Sequence, residues 1–323
     1  MKEKTYIFII RIADIILIPF VVIAWVYFKL IRLHGINMFL SRMPLTKKIL
    51  LRIWIFPIST HYYDPLFNHS ETNFNNERNL AWIDFSIKWQ LELLNSFNYQ
   101  EELKLFPLEK TNKLEFFYNN WSYPPGDSEF LYSIIRNKKP NKIIEIGSWN
   151  STLMAINAIN KNKEENKTYN CKHICVEPYE MSWLEKTWVQ VIRKKLEYLD
   201  RNIFKELKEN DILFIDSSHI IRPGWDVLTE YLEILPILNK WVIVHIHDIF
   251  TPYEYPKQWL KEWVSFWNEQ YLLEAFLTNN SSFKIIWMMN YLNRIEKDLL
   301  ESKFPILKSK PQSPWSLWLE KIV

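Results

Sequence analysis

Two strand-like segments of this chain end in residues that can perform acid–base or metal chemistry. Acidic and imidazole side chains follow the apolar cores of the segments 212–219 and 242–248. Carboxylates and imidazoles that converge on a cleft can hold a divalent metal ion or take a proton from a substrate hydroxyl. We therefore expect the catalytic residues to be Asp216, His219, His247 and Asp248.

A divalent metal at this place would be held by Asp216, His247 and Asp248. The alternation of a strand puts His245 and His247 on one side and Asp248 on the other, unless the strand has already ended. The simpler alternative is that these polar groups satisfy backbone groups at the strand ends. For His245 alone, we expect that structural role.

A second candidate site begins at a glycine turn, Glu145-Ile146-Gly147-Ser148-Trp149-Asn150-Ser151. Such a turn between a strand and a helix lets the backbone approach a ligand and offers amide groups to it. Glu177 ends the next strand-like segment, where a carboxylate can accept both hydroxyls of a ribose. The expected cofactor-binding residues are Glu145, Gly147, Ser148, Trp149, Ser151 and Glu177. The turn lacks the Gly-x-Gly-x-x-Gly pattern, which disfavours a nicotinamide cofactor.

The elements that must position these residues alternate regularly from about Asp127 onward. Short apolar segments predict strands at 142–146, 171–176, 189–192, 212–215, 242–246 and 283–286. Helical patterns lie between them at 128–136, 151–159, 227–235 and 259–277. This alternation predicts a parallel sheet with helices on both faces, and ligands in such sheets bind beyond the carboxyl ends of the strands. The strands are apolar throughout, as strands buried on both faces are.

The N-terminal segment is apolar enough to enter a membrane. Ile15–Phe28 is uninterrupted, and Tyr6–Ile10 extends it across Arg11 and Asp14. This length can span a bilayer, and the lack of a small-residue cleavage site favours an anchor over a signal peptide. Residues 5–31 would contact the membrane. A helix lying in the interface and a fully soluble segment remain the alternatives.

Basic residues are concentrated after the apolar segment. Only Lys2 and Lys4 precede it, whereas six basic residues follow it, namely Lys29, Arg32, Arg42, Lys47, Lys48 and Arg52. This asymmetry predicts a cytoplasmic body. We expect an anchor helix at 1–34, an amphipathic and aromatic extension at 35–125, and the sheet domain at 126–323.

Charge and cysteine content exclude some classes of partner. The net charge is only +3, and a nucleic-acid-binding surface would need basic residues clustered on one face. We therefore expect no nucleic-acid partner. The two cysteines, Cys171 and Cys175, fit a reducing compartment. Their Cys-x3-Cys spacing without a second ligand pair is a weak zinc signal, so we expect both to be small buried strand residues.

Taken together, these residues resemble class I S-adenosylmethionine-dependent methyltransferases, and specifically a bacterial branch related to the type-24 methyltransferase domain. The similarity runs from about Ile53 to the C-terminus. It is carried by His61-Tyr62-Tyr63, Asp127 to Tyr132, Glu145 to Ser148, Glu177-Pro178-Tyr179, Phe214 to His219, His245 to Phe250, Trp267 to Tyr271 and Ser316-Leu317-Trp318. The resemblance implies an α/β, Rossmann-like fold. Its seven-stranded sheet would be mostly parallel, with an antiparallel last strand, and the expected activity is methyl transfer to a small molecule.

Tryptophan occupies positions where the resembled family has glycine. The chain has 16 tryptophans and 4 glycines, whereas about 7% glycine, on the order of 20 residues, is usual. The clearest positions are Trp149, Trp225, Trp241 and Trp315, and further ones are Trp54, Trp82, Trp89, Trp121, Trp188 and Trp287. We hypothesise that the gene uses UGA for glycine and that these codons were translated as tryptophan. As tryptophan, residue 149 would obstruct the cofactor turn; as glycine, it would complete it.

These observations favour a membrane-anchored methyltransferase that uses S-adenosylmethionine and, as a further option, a divalent metal. Catalysis would orient an acceptor oxygen in line with the methyl group. The acceptor would be a small molecule, a sugar or a lipid-linked intermediate. Because of Trp149, a catalytically inactive, membrane-tethered binding or scaffold protein of the same fold is the first alternative. A nicotinamide-dependent Rossmann enzyme is the second.

Overall fold

The computed structural model describes residues 2–32, 43–58, 65–68, 72–74, 76–179, 181–310 and 313–323. The chain divides into two compact units, Met1–Thr72 and Asn73–Val323. The motif His61-Tyr62-Tyr63 lies outside the described residues. The division into segments 1–34, 35–125 and 126–323 stays a prediction.

The first unit contains two helices, α1 (Lys2–Arg32) and α2 (Pro44–Arg52). Within α1, the 24-residue span Tyr6–Lys29 is long and apolar enough to cross a membrane. A signal sequence near an N-terminus meets the same criteria of length and composition. The Tyr27 hydroxyl donates a hydrogen bond to Thr46 Oγ1 at 2.7 Å, which links the two helices.

The second unit is built on a seven-stranded sheet. Its strands are β1 (Lys142–Ile146), β2 (Lys172–Val176), β3 (Gln190–Ile192), β4 (Ile212–Ile215), β5 (Ile243–Ile246), β6 (Phe283–Met288) and β7 (Leu317–Lys321). They lie in the order β3-β2-β1-β4-β5-β7-β6. Strands β1 to β5 pair in parallel, whereas β7 runs antiparallel to both β5 and β6. The expected fold class, including the reversed last strand, is confirmed.

Helices precede β1 and occupy most of the connections between the later strands. In the second unit they are α3 (Ile87–Asn95), α4 (Gln100–Leu103), α5 (Asp127–Lys138), α6 (Asn150–Glu165), α7 (Asn202–Lys205), α8 (Asp226–Thr229), α9 (Lys257–Lys261), α10 (Glu269–Leu277), α11 (Met289–Ile295), α12 (Lys297–Lys303) and α13 (Pro305–Ser309). The right-handed crossover between parallel strands needs such connections, which explains the regular alternation in the sequence.

The sheet is buried on both faces because neighbouring residues of each central strand enter different cores. Ile143 and Phe214 pack into one core with Trp287 and Trp318. Ile144, Leu213, Ile215 and Val244 pack into the other. Because both faces of such a strand contact apolar cores, its residues are apolar throughout instead of alternating between polar and apolar. This confirms the interpretation of the short apolar segments.

One helix prediction was wrong, and a second was correct in place but not in helix type. The expected helix at 259–277 is interrupted: α9 ends at Lys261, α10 begins at Glu269, and Val264 between them has a left-handed backbone with φ 54°. The helical spacing of its tryptophans instead reflects a cluster in which Trp259 and Trp267 pack around Phe250 and Tyr255. The expected helix at 227–235 continues from α8 as a wider π turn at Glu230–Ile234.

Candidate functional site

The carboxyl ends of the strands bring the predicted residues to one edge of the sheet. Gly147 follows β1, Glu177 follows β2, Asp216 follows β4, and His247 and Asp248 follow β5. Strand β1 lies between β2 and β4, so the chain order reverses there. Such a reversal leaves a crevice outside the strand ends where ligands bind.

Gly147 is required by the local geometry. Its φ is +78°, and a Cβ atom at this position would lie 1.9 Å from the carbonyl oxygen of Asp216. The Asp216 amide donates to the Ile146 carbonyl at 2.8 Å, and the Gly147 amide donates to the Val176 carbonyl at 3.0 Å. Because only glycine combines this φ with this approach, the turn after β1 is pressed against the ends of β2 and β4.

A first cavity, of about 240 Å³, opens above this turn. Residues from four strand ends and the following loops line it, among them Gly147, Trp149, Glu177, Tyr179, Lys195, Glu197, Asp216 and Asp226. The Glu177 carboxylate accepts hydrogen bonds from the amides of Ser148 at 3.3 Å and Tyr179 at 3.0 Å. These bonds fix its oxygens at the end of β2.

The remaining predicted cofactor residues lie behind the first cavity. Ser148 and Ser151 are buried, and Glu145 is fully buried on β1. The Glu145 carboxylate accepts a hydrogen bond from Thr152 and lies 3.0 Å from Nε2 of His173. Glu145 therefore lies beneath the turn, where its hydrogen bonds connect the start of α6 to β2.

A second cavity, of about 390 Å³, adjoins the first. All four predicted catalytic residues line it, together with six tryptophans: Trp121, Trp149, Trp259, Trp263, Trp267 and Trp315. Asp216, Ser217, Ser218 and Trp149 line both cavities. The two spaces therefore meet at the end of β4, with the Trp149 indole at their boundary.

Three carboxylates surround His219. Its Nε2 atom lies 3.3 Å from Oδ1 of Asp216 and 3.1 Å from Oδ2 of Asp248, and its Nδ1 atom lies 2.8 Å from Oε2 of Glu269. Burial alone would lower the pKa of His219, but the three carboxylates outweigh it and raise the pKa well above its usual range. Sequence reasoning missed Glu269, although it lies in the Trp267–Tyr271 motif.

His247 plays a different part from His219. Its Nε2 atom is 2.8 Å from Nε1 of Trp315, whose N–H donates to it, and 3.9 Å from Oδ1 of Asp248. Burial lowers the pKa of His247 to about 4, so the imidazole is neutral. In the described part of the chain, the metal-ligand spacing at this cavity belongs to Asp216, His219 and Asp248, whose donor atoms lie within 4.8 Å of one another.

Two residues of this cluster have unusual backbone conformations. His219 and Asp248 have φ values of 58° and 56°, in the left-handed region. Such a conformation costs a residue other than glycine about 1–2 kcal/mol. Strained backbones persist where the surrounding structure holds them, and they concentrate at functional sites.

His245 does not reach the cavity. It is fully buried on β5 and stacks on Phe214, with ring centroids 3.8 Å apart. Strand β5 ends at Ile246, so His247 and Asp248 belong to the following turn. The alternation of side chains along a strand, which would put them on opposite faces of the sheet, therefore does not apply to them. His245 is therefore a packing residue, but its two ring nitrogens have no hydrogen-bond partner among the described residues, so the expected satisfaction of backbone groups is not observed.

The strand order and a family match together mark the chain as carrying a class I S-adenosylmethionine-dependent methyltransferase domain. Residues 144–249 match the Methyltransf_24 family model, described as a methyltransferase domain. This segment runs from β1 to the turn after β5 and holds all the predicted site residues.

Similar proteins include an uncharacterized protein of Archaeoglobus fulgidus, 28% identical over 175 residues, which are 49% of this chain and 76% of that protein. Among solved structures, the O-methyltransferase TomG of Streptomyces achromogenes, involved in tomaymycin synthesis, is 12% identical with a TM-score of 0.37. The match covers 75% of this chain and 97% of that chain. An O-methyltransferase of Bacillus cereus is 11% identical with a TM-score of 0.32, covering 73% and 91%. The fold assignment rests on the strand order and not on these remote likenesses.

Proposed function

We propose that this protein transfers a methyl group from S-adenosylmethionine to an oxygen of a small-molecule, sugar or lipid-linked acceptor. The observation that carries the proposal is the meeting of two cavities at Asp216, Ser217 and Ser218 within the methyltransferase domain. A two-substrate transfer needs adjoining sites so that the reacting atoms can be aligned. The methyltransferase-domain match disfavours the nicotinamide-dependent alternative.

The first cavity has residues suited to the cofactor, which would supply the methyl group. Gly147 leaves the turn after β1 without a side chain, and the fixed carboxylate of Glu177 can accept hydrogen bonds from a ribose. Ser148 and Ser151 shape the turn, and Glu145 supports it from below. Trp149 narrows the passage toward the second cavity.

The second cavity would hold the acceptor. Its tryptophans offer flat apolar surfaces, and its polar groups can bind and orient a hydroxyl. One of Asp216, His219, His247 and Asp248 would take the hydroxyl proton, a role that requires hydrogen-bond reach of the acceptor. We propose that neutral His247, which accepts a hydrogen bond from Trp315, forms part of the wall of this cavity. The carboxylates of Asp216 and Asp248 beside His219 would lie nearest to the acceptor hydroxyl.

A divalent metal would fit the same place. Asp216, His219 and Asp248 offer two carboxylates and an imidazole with suitable spacing. In this group His219 replaces His247, which we expected from the sequence as the imidazole ligand. Such an ion would supply charge stabilisation for the acceptor oxygen.

The apolar span of α1 supports attachment to a membrane. The basic residues that follow it favour a cytoplasmic body under the positive-inside rule. A lipid-linked acceptor would then reach the site from the membrane surface.

A second candidate function is supported by Trp149. Its indole lies at the boundary of both cavities, where it would hinder a bound cofactor from reaching an acceptor. With genuine tryptophan there, the protein would be an inactive, membrane-tethered binding or scaffold protein of the same fold.

Incubation of the purified full chain with methyl-labelled cofactor and membrane extracts tests the proposal. We expect label to enter an extractable acceptor, and Asp216→Asn to abolish the transfer. Asp200→Asn, at an exposed site away from both cavities, is the matched control. The proposal fails if a Trp149→Gly protein binds no cofactor in calorimetry.

A further inference from the structure

A second group of metal-ligating side chains lies beneath the turn after β1, separate from both cavities. Glu145 on β1 is paired in register with Cys175 on β2. His173 lies two residues before Cys175, so it faces the same side of the sheet. The three side chains are buried, and the proposed methyl-transfer chemistry uses none of them directly.

The distances among the donor atoms match those around a tetrahedral metal. Nε2 of His173 is 3.0 Å from Oε1 of Glu145, and Sγ of Cys175 is 3.9 Å from both Nε2 of His173 and Oε2 of Glu145. Around a tetrahedral zinc ion, the N···O separation is about 3.3 Å and separations from sulfur are about 3.5 Å. The observed separations differ from these by only a few tenths of an ångström.

Both oxygens of the Glu145 carboxylate face the group, since Oε1 lies toward His173 and Oε2 toward Cys175. One carboxylate oxygen, an imidazole nitrogen and a thiolate sulfur offer three donors, and a water would complete a tetrahedral zinc site. The Thr152 hydroxyl also donates to Oε2, which is the kind of outer hydrogen bond that orients metal ligands.

We propose that Glu145, His173 and Cys175 form a buried binding site for a zinc-class divalent ion. Nitrogen and sulfur donors select such metals over magnesium or calcium. A carboxylate and a thiolate balance the two positive charges, so that the filled site is neutral, which lowers the cost of burying it.

This site is only weakly indicated by the sequence because its ligands come from two different strands. The Cys-x3-Cys spacing of Cys171 and Cys175 is the only part of the pattern visible in the sequence, and Cys171 is not one of the three proposed ligands. The missing partners were His173, two residues away, and Glu145 on the neighbouring strand. A bound ion would join β1 and β2, and through Thr152 the start of α6, directly below Gly147.

Cobalt substitution distinguishes this site from a hydrogen-bonded Glu145–His173 pair that binds no metal. The full chain, purified in detergent and stripped of metal, is titrated with Co²⁺, and near-ultraviolet absorbance reports thiolate-to-cobalt charge transfer. We expect a band that saturates at one ion per chain. Cys175→Ser should abolish it, whereas Cys171→Ser, which changes the other buried cysteine, should retain it.

Elemental analysis provides the second measurement. The wild-type chain should retain zinc at this site through dialysis. His173→Gln, which removes a ligand and leaves the thiol in place, should weaken that binding by more than the about 10–100-fold that loss of an outer partner costs. This variant decides the outcome if Cys175→Ser fails to fold. Absence of the cobalt band, its loss in Cys171→Ser, or unchanged zinc affinity in His173→Gln would overturn the site. The cluster around His219 contains no sulfur and gives no such band, so this result is independent of the proposed function.

Discussion

Glu269 accepts from Nδ1 of His219 at 2.8 Å, while Nε2 of the same ring lies between Asp216 and Asp248. A carboxylate can only accept a hydrogen bond, so it holds a proton on Nδ1 and fixes the ring orientation. Glu269 lies at the start of α10, distant in sequence from the strand ends. It is therefore a positioning residue for the polar wall of the second cavity.

Replacing Glu269 by Gln should reduce kcat for methyl transfer about 10–100-fold, the range seen when an outer partner of a functional histidine is lost. Removal of the negative charge should also lower the pKa of His219, because Glu269 is one of the groups that raise it. The limb of the pH–rate profile that reports His219 should then move to lower pH.

Glu274→Gln is the matched control for this substitution. Glu274 is another buried carboxylate of α10, but it bonds Arg78 and Thr251. Its replacement should change thermal stability and leave the pH profile in place. A Glu269→Gln protein with the wild-type rate and profile would contradict the positioning role.

Trp149→Gly should strengthen cofactor binding at least about tenfold, equivalent to 1.4 kcal/mol. The indole lines both cavities and packs edge-on against Trp121, with ring centroids 5.5 Å apart. Its removal would open the passage between them. Calorimetry with S-adenosylmethionine measures the change, and Trp188→Gly is the control, because Trp188 lines neither cavity. Equal affinities for wild type and Trp149→Gly would show that residue 149 does not obstruct the site.

Most of the site's scaffold could be predicted from the sequence because strand ends are local features. The apolar segments located β1, β2, β4 and β5, and parallel order then placed Gly147, Glu177, Asp216 and Asp248 at one edge. Glu269 could not be found this way, since its approach to His219 depends on how α10 packs. The break between α9 and α10 was hidden because clustered tryptophans imitate helical periodicity.

Trp241→Gly should destabilise the protein less than Trp225→Gly does. The exposed fractions of the two side chains are 39% and 37%, so both replacements lose a similar buried apolar area. Trp241 has φ 66°, which costs a residue other than glycine about 1–2 kcal/mol, and glycine relieves this cost. Trp225 has φ −113° and its ring stacks with Arg222 at 3.7 Å, so its replacement brings no such relief. Calorimetry should show a smaller fall in Tm for Trp241→Gly, and equal changes in Tm in both variants would contradict the backbone explanation.

The codons of the tryptophans test the recoding hypothesis directly. Among the ten glycine-like positions, Trp54 and Trp241 have left-handed backbones, which favours glycine there. Trp287 instead stacks on Phe130 at 4.4 Å in the core. We expect UGA at codons 149, 225, 241 and 315, and mass spectrometry of the native protein should show glycine. UGG at all four codons would end the hypothesis.

His247 should contribute a loss of stability as the pH falls from about 6.5 to about 4. Burial lowers the pKa of His247 to about 4, whereas in the unfolded chain it is about 6.5. The unfolded state therefore binds the proton more readily, and stability present above pH 6.5 is lost as the pH approaches 4. The contribution is about 3 kcal/mol. Urea unfolding across this range should show a loss smaller by that amount in His247→Gln, whose amide can still accept from Trp315. Titrating groups that do not interact with His247 cancel in this comparison, so parallel pH dependences of the two proteins would show that His247 is not the neutral buried group.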